Sequence, residues 1–197
     1  IYVFSACTGE KAVQAHTWRI KMKEFENSVY YNGSDYCMQS LKLQEISENA
    51  ETPFYVYDMD YIIKKYNKLK ASFPWENVRL FYAMKANFNP VMLKIMKENG
   101  FCLDTVSPAE VILAKKLGFA SENILFTANN MTDKDMEVIK AEGVLFNIDS
   151  LSRLETYGKF YNGSQVCLRI NPDVVAGETA NVATGGDLSK FGILLED

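Results

Sequence analysis

From residue 79 onward, short apolar runs alternate with amphipathic stretches, one pair in about every 20 residues, the spacing of strand–helix units. The apolar runs predict strands near 79–84, 101–104, 123–127, 144–148 and 165–171. The intervening stretches predict helices over 89–99, 107–117, 132–141 and 150–159. Start and stop signals agree with these bounds. Ser107-Pro108-Ala109-Glu110 is a capping box with proline at the first helical position, and Thr132 and Ser150 stand where the next two helices begin. Gly100, Gly118 and Gly143 stand where helices end. Short connections between such units predict a parallel sheet with right-handed crossovers. Five strands of this kind fit either a doubly wound sheet or part of an eight-stranded barrel, and periodicity does not choose between them.

Upstream the pattern is different. Val29-Tyr30-Tyr31 and Tyr36-Cys37-Met38 flank Asn32-Gly33, which predicts a hairpin. Ser40 is placed to cap a helix over 41–49, Thr52-Pro53 opens a strand over 54–57, and Asp58 caps a helix reaching Phe73. Residues 1–26 show no clear periodicity. At the other end the pattern stops at Leu195-Glu196-Asp197 as a further helix begins, and the chain reads as part of a longer protein.

Candidate chemistry gathers at the strand ends. Along 79–84, alternation sets Phe81, Ala83 and Lys85 on one face and Leu80, Tyr82 and Met84 on the other. Lys85 ends the run, with Asn87-Phe88-Asn89-Pro90 breaking the strand behind it. A lysine there either ends a strand in solvent or stands at the catalytic end of a barrel strand, where small Ala83 leaves room beside it for a flat ring. Asp104 and Arg169 are polar residues inside apolar runs, and Cys167, Arg169 and Asn171 share one face. An arginine in a buried strand is costly unless it meets an anion or an acceptor. That group is either a structural partner, Asp104 or Glu110, or a ligand at the mouth of a barrel. Asp149-Ser150 reads as a helix start without chemistry. The Thr184–Gly192 segment has neither Walker nor Rossmann spacing, and its composition is that of a surface loop.

Composition narrows the classes. A net charge of −4, a pI near 5.2 and no basic stripe argue against nucleic acid as a partner. His16 is the only histidine, which excludes a histidine-based metal cluster or catalytic triad within the chain, and no metal is expected. Cys7, Cys37, Cys102 and Cys167 are scattered without a CxxC pair and read as reduced, packed thiols. No apolar run reaches the length of a membrane span. The Ile1–Cys7 stretch has the look of a lipoprotein signal's end but lacks a charged leading segment, so a cytoplasmic protein is expected. The sequons at Asn32, Asn130 and Asn162 then read as turn and cap positions.

Five segments, taken together, go further. Tyr82-Ala83-Met84-Lys85-Ala86-Asn87, Asp104-Thr105-Val106-Ser107-Pro108-Ala109-Glu110, Asn147-Ile148-Asp149-Ser150, Leu168-Arg169-Ile170-Asn171-Pro172-Asp173 and Thr184-Gly185-Gly186 through Ser189-Lys190-Phe191-Gly192-Ile193 stand in one register. In that order and spacing the chain resembles the pyridoxal-phosphate-dependent ornithine, diaminopimelate and arginine decarboxylases of the alanine-racemase-like fold. The diaminopimelate branch is the most similar, over roughly residues 28–197. The resemblance implies an α/β fold, a partial (β/α)8 TIM barrel of about five of its eight strands, with an N-terminal segment belonging to a second, β-rich domain. Residues 1–27 are then an unassigned tail, 28–57 the contribution to the β domain, and 58–197 the incomplete barrel.

The same resemblance implies pyridoxal 5'-phosphate as cofactor, attached covalently to Lys85 and surrounded by Ala83, Asp104, Asn129 and Arg169. It implies a homodimer with shared active sites, Ser189 and Lys190 lying near the interface. The implied reaction is decarboxylation of a small amino-acid substrate, meso-2,6-diaminopimelate, to L-lysine and CO2, the last step of lysine biosynthesis. Related decarboxylases of ornithine, arginine or carboxynorspermidine, an amino-acid racemase, and a non-catalytic cofactor-binding barrel share parts of the pattern. The family's ring-stacking histidine, glycine-rich phosphate loop, pyridinium-directed glutamate and C-terminal Cys and Tyr are expected beyond Asp197, so the chain alone is expected to be inactive.

Overall fold

The computed structural model describes residues 2–5, 16–17, 28–127, 129, 131–174, 185–186 and 190–194. The chain divides into two compact units, Ile1–Val78 and Arg79–Asp197.

In the first unit, β1 (Tyr2–Ser5) lies between β2 (His16–Thr17) and β6 (Phe54–Tyr57) in an antiparallel sheet, although no periodicity marks residues 2–5 as a strand. A second antiparallel sheet runs β3 (Val29–Tyr31), β4 (Tyr36–Met38), β5 (Leu41–Lys42). Its first hairpin is the predicted one. The Asn32 side-chain oxygen accepts from the backbone N–H of Ser34 and Asp35 at 2.9 and 2.8 Å, and Gly33 takes φ 101°. Ser40 is not a helix cap. It sits with Gln39 in a second turn, and the helix α1 (Leu43–Glu48) starts three residues later, behind Lys42 and without a side-chain cap. Gln39 adopts φ 53°, held there by its amide donating to Asp58 at 2.7 Å and by its carbonyl accepting from Tyr30 Oη at 2.7 Å. Asp58 caps α2 (Met59–Ala71) as expected, accepting from the Tyr61 N–H at 3.0 Å. Met38 and Ile46 form a small core with Leu41, Leu43, Phe54 and Val56.

The second unit is a five-stranded parallel sheet in the order β11-β10-β9-β8-β7, made of β7 (Phe81–Ala83), β8 (Cys102–Thr105), β9 (Ile124–Phe126), β10 (Leu145–Ile148) and β11 (Val166–Leu168). The strands succeed one another in chain order, each followed by a crossover. Four helices carry those crossovers: α3 (Pro90–Glu98), α4 (Pro108–Lys116), α5 (Asp133–Ala141) and α6 (Leu151–Phe160). A consecutively ordered parallel sheet is the barrel arrangement and not the doubly wound one, in which the order reverses. Leu103, Ile124, Phe126, Phe146 and Ile148 are buried with Leu93, Met96, Val111, Met136, Ile139 and Tyr157 from the helices. The Phe146 ring stands 5.7 Å from Phe126 and 5.0 Å from Tyr157. Cys37 and Cys102 are buried, Cys167 is half-buried, and Cys7 lies outside the described residues.

The predicted last strand is divided. The Arg169 N–H donates to the Ile148 carbonyl at 2.8 Å, and the Arg169 carbonyl accepts from the Ile193 N–H at 2.8 Å. The chain thus changes partner at Arg169, continuing as β12 (Ile170–Asn171) in parallel with β13 (Ile193–Leu194). This further parallel strand is too short to show as a periodic run. It is held close by Gly192, at φ 81°, where a Cβ would stand 2.9 Å from the Asn171 nitrogen and 3.0 Å from the Arg169 carbonyl oxygen.

Candidate active site

The C-terminal ends of the parallel strands enclose a cavity of about 370 Å³, within the size range of small-molecule sites. Its walls come from alternate residues of successive strands: Phe81 and Lys85, then Asp104 and Val106, then Leu125, Thr127 and Asn129, then Asn147, then Arg169. Phe191, just before β13, completes it. Four of the five residues singled out in the sequence therefore meet at one place. The fifth, Ala83, pairs in register with Asp104 but is not among the residues lining the cavity.

Lys85 is not in the strand itself. After β7 the chain makes one 3-10 turn, Met84–Ala86, which buries Met84 completely and leaves Lys85 exposed. The turn is closed by the Tyr82 hydroxyl donating to the Asn87 carbonyl at 3.3 Å and by the Asn87 side-chain oxygen accepting from the Asn89 N–H at 3.0 Å. Asn89 then caps α3 through the Val91 N–H at 3.0 Å, with Pro90 at the first helical position as predicted.

The polar groups of the cavity are largely unspent. One carboxylate oxygen of Asp104 and the side-chain oxygen of Asn129 are buried without a hydrogen-bond partner. Such atoms are costly unless a ligand supplies a donor. Arg169 forms no salt bridge to Asp104 or Glu110 among the described residues, so the structural-partner alternative is not what the fold builds. Glu110 instead accepts from the Val106 N–H at 2.8 Å, and Ser107 accepts from the Glu110 N–H at 3.3 Å. The guanidinium of Arg169 lies over the Phe191 ring, 4.5 Å from its centroid. Asn147 is fixed by donating to Thr127 Oγ1 at 3.3 Å. Asp149, read from the sequence as a helix start only, has its carboxyl raised above the usual carboxylate range, first by burial and against the pull of the Arg169 and Arg153 charges.

Asn171 is a residue whose part the sequence reading did not assign. Its side chain is buried and clamps Gly186 from both sides, donating to the Gly186 carbonyl at 2.9 Å and accepting from the Gly186 N–H at 3.2 Å. Gly185 is as tightly placed, since a Cβ there would run into the Val174 carbonyl oxygen. The glycine pair is therefore anchored to β12. The signal was present in a polar residue that alternation puts on the Arg169 face. Of the two residues implied at a dimer interface, Lys190 is exposed and Ser189 lies outside the described residues.

A lysine amine and a guanidinium around an apolar-walled cavity fit pyridoxal 5'-phosphate. That ligand brings a carbonyl for an amine, anionic oxygens for a cation, and a flat ring for the apolar wall. Comparison with known proteins agrees. The family described as "Pyridoxal-dependent decarboxylase, pyridoxal binding domain" matches residues 59–197. A diaminopimelate decarboxylase from Aquifex aeolicus is 32% identical over 177 residues, covering 87% of this chain and 42% of that relative. One from Methanothermobacter thermautotrophicus is 37% identical over 153 residues, covering 76% of this chain and 36% of the relative. The crystal structure of diaminopimelate decarboxylase from M. jannaschii in complex with L-lysine superposes with a TM-score of 0.74 at 28% identity, over 86% of this chain and 42% of that one. The chain spans about two fifths of the length of the curated relatives it matches. On this evidence it belongs to the pyridoxal-dependent decarboxylases, carbon–carbon lyases whose cofactor is pyridoxal 5'-phosphate, and residues 59–197 match their pyridoxal-binding domain.

Proposed function

We propose that this domain serves an enzyme that decarboxylates meso-2,6-diaminopimelate to L-lysine and CO2. The observation that carries the reading is the convergence of Lys85, Asp104, Asn129 and Arg169, from the ends of four of the five parallel strands, on one cavity. The choice of substrate is supported by the diaminopimelate decarboxylases among the relatives. The resemblance of the sequence adds a cytoplasmic homodimer with shared active sites.

Pyridoxal 5'-phosphate, when bound, supplies an electron sink for the pair left behind by a departing carboxylate. In this reading Lys85 is its covalent anchor, exposed to the cavity and held at a fixed height by the turn beneath it. Arg169 faces an anionic oxygen, and the free oxygens of Asp104 and Asn129 receive ligand donors. Phe81, Val106 and Leu125 are apolar walls that reduce water around the reacting carbon. The chain's contribution is mainly orientation, because the bond to be broken must stand across the cofactor's ring.

The test is CO2 release by the intact, cofactor-loaded protein from diaminopimelate, ornithine and arginine, beside a Lys85→Ala variant. Diaminopimelate should be preferred by at least roughly 100-fold in kcat/KM, a difference of about 3 kcal/mol. Lys85→Ala should lose the cofactor's absorbance at about 420 nm together with the activity. Preference for ornithine or arginine would overturn the substrate, and a fully active Lys85→Ala variant would overturn the site.

A further inference from the structure

We propose that Phe191 is a positioning residue for Arg169, holding its guanidinium toward an anionic oxygen of the ligand bound at Lys85. The inference rests on the pyridoxal-phosphate reading of the cavity and adds a residue to it. Arg169 and Phe191 both line the cavity, and the guanidinium carbon is 4.5 Å from the ring centroid. An arginine side chain has several soft torsions and loses much rotamer freedom when fixed, so a free guanidinium would sample many directions. A ring against its flat face restrains it while leaving the N–H groups on its edge available. Among the described residues no carboxylate lies within ion-pair distance to take those donors.

The ring is placed by its neighbours. The Ile193 N–H bonds to the carbonyl of Arg169 itself, and Gly192 packs against the Arg169 carbonyl and the Asn171 nitrogen. The backbone of Arg169 and the residue that covers its side chain are thus tied within one short strand pairing. Lys190 adds a second cation, 5.4 Å from the same ring. The positioning role of Phe191 is exerted through Arg169.

The experiment measures the dissociation constant of pyridoxal 5'-phosphate from the intact protein, read by absorbance at about 420 nm. The proteins are wild type, Phe191→Leu, Phe191→Tyr, Arg169→Met and the double variant Phe191→Leu/Arg169→Met. Loss of one cation–ring contact predicts cofactor binding roughly 3- to 30-fold weaker in Phe191→Leu, with Phe191→Tyr within about twofold of wild type. In the Arg169→Met background, Phe191→Leu should add less than about twofold, because the contact is already gone. A loss in Phe191→Leu that Tyr does not rescue, or that persists in full without Arg169, would mark a merely structural ring and overturn the proposal. So would unchanged binding in Phe191→Leu. Borohydride reduction and peptide mapping of wild type separates the two readings. Cofactor fixed on Lys85 leaves the cavity reading standing whatever Phe191 does, and its absence from Lys85 removes both.

Discussion

Asp149 follows β10 and leads into α6, and burial holds its carboxyl above the ordinary carboxylate range despite the nearby charges of Arg169 and Arg153. The native state therefore keeps the Asp149 proton to a higher pH than the unfolded chain does. Where the native state binds more protons, stability falls as pH rises. The contribution is fully present below the unfolded carboxylate value and is lost as pH rises through the raised folded value. Asp149→Asn removes that dependence. In the intact protein it should raise stability at pH 7 by about 0.5 kcal/mol or less, with little change at pH 3. Urea unfolding at the two pH values measures this, and a variant destabilised at pH 7 would show that Arg169 attraction outweighs burial. Asp104 and Arg169 were legible as polar intrusions in apolar runs, because alternation and burial cost are local properties. That Arg169 meets the Phe191 ring was not legible, because that depends on segments distant in sequence meeting at one end.

The helix starts divide into three chemically different kinds although their sequences look alike. Thr132 and Asp135 make a reciprocal box, Thr132 Oγ1 accepting from the Asp135 N–H at 3.1 Å and Asp135 accepting from the Thr132 N–H at 3.0 Å. The Thr132 hydroxyl, which also donates to the Asp135 carboxylate at 2.7 Å, and after it the Thr132 N–H hold the Asp135 carboxyl below its usual range. At α4 the glutamate reaches one residue farther back, to Val106, so the expected box is an open variant. Ser150 stands at the start of α6 but makes no cap bond, its hydroxyl instead lying 3.5 Å from that of Ser152. Thr132→Ala should therefore cost about 1 kcal/mol, whereas Ser150→Ala should cost much less. Equal melting-temperature losses for the two variants of the intact protein would refute the distinction. Residue spacing predicted that helices begin at these places, and they do within a residue or two. It did not predict which hydroxyl bonds, since that depends on rotamers and on competing neighbours. The same limit explains Ser40, a capping residue type drawn into a turn, and β13, whose two residues form a strand because Arg169 and Gly192 bring the backbones together.

At the scale of the whole molecule, the parallel sheet has two margins. Among the described residues β7 pairs only with β8 at one margin and β11 only with β10 at the other, where the chain passes into the β12–β13 pair. Parallel sheets are stable when both faces are covered and their margins closed, as in a completed barrel. Here Leu168 and Ile170 are each 46% exposed on the face opposite Arg169. Apolar side chains next to unpaired backbone form a template for adding further strands. The 197-residue polypeptide expressed alone should therefore self-associate. Its weight-average mass by sedimentation should rise with concentration across the micromolar range, and its melt should be broad. Replacing Leu168 and Ile170 by lysine should reduce the association, because charge on an exposed strand opposes edge pairing. A sharp, monomeric, concentration-independent melt would show that the five strands close their margins without help. The cavity at their ends would then be complete enough to bind cofactor alone. Association suppressed by adding the remainder of a relative's barrel in trans would place the missing stabilisation at those margins, as the sheet order requires.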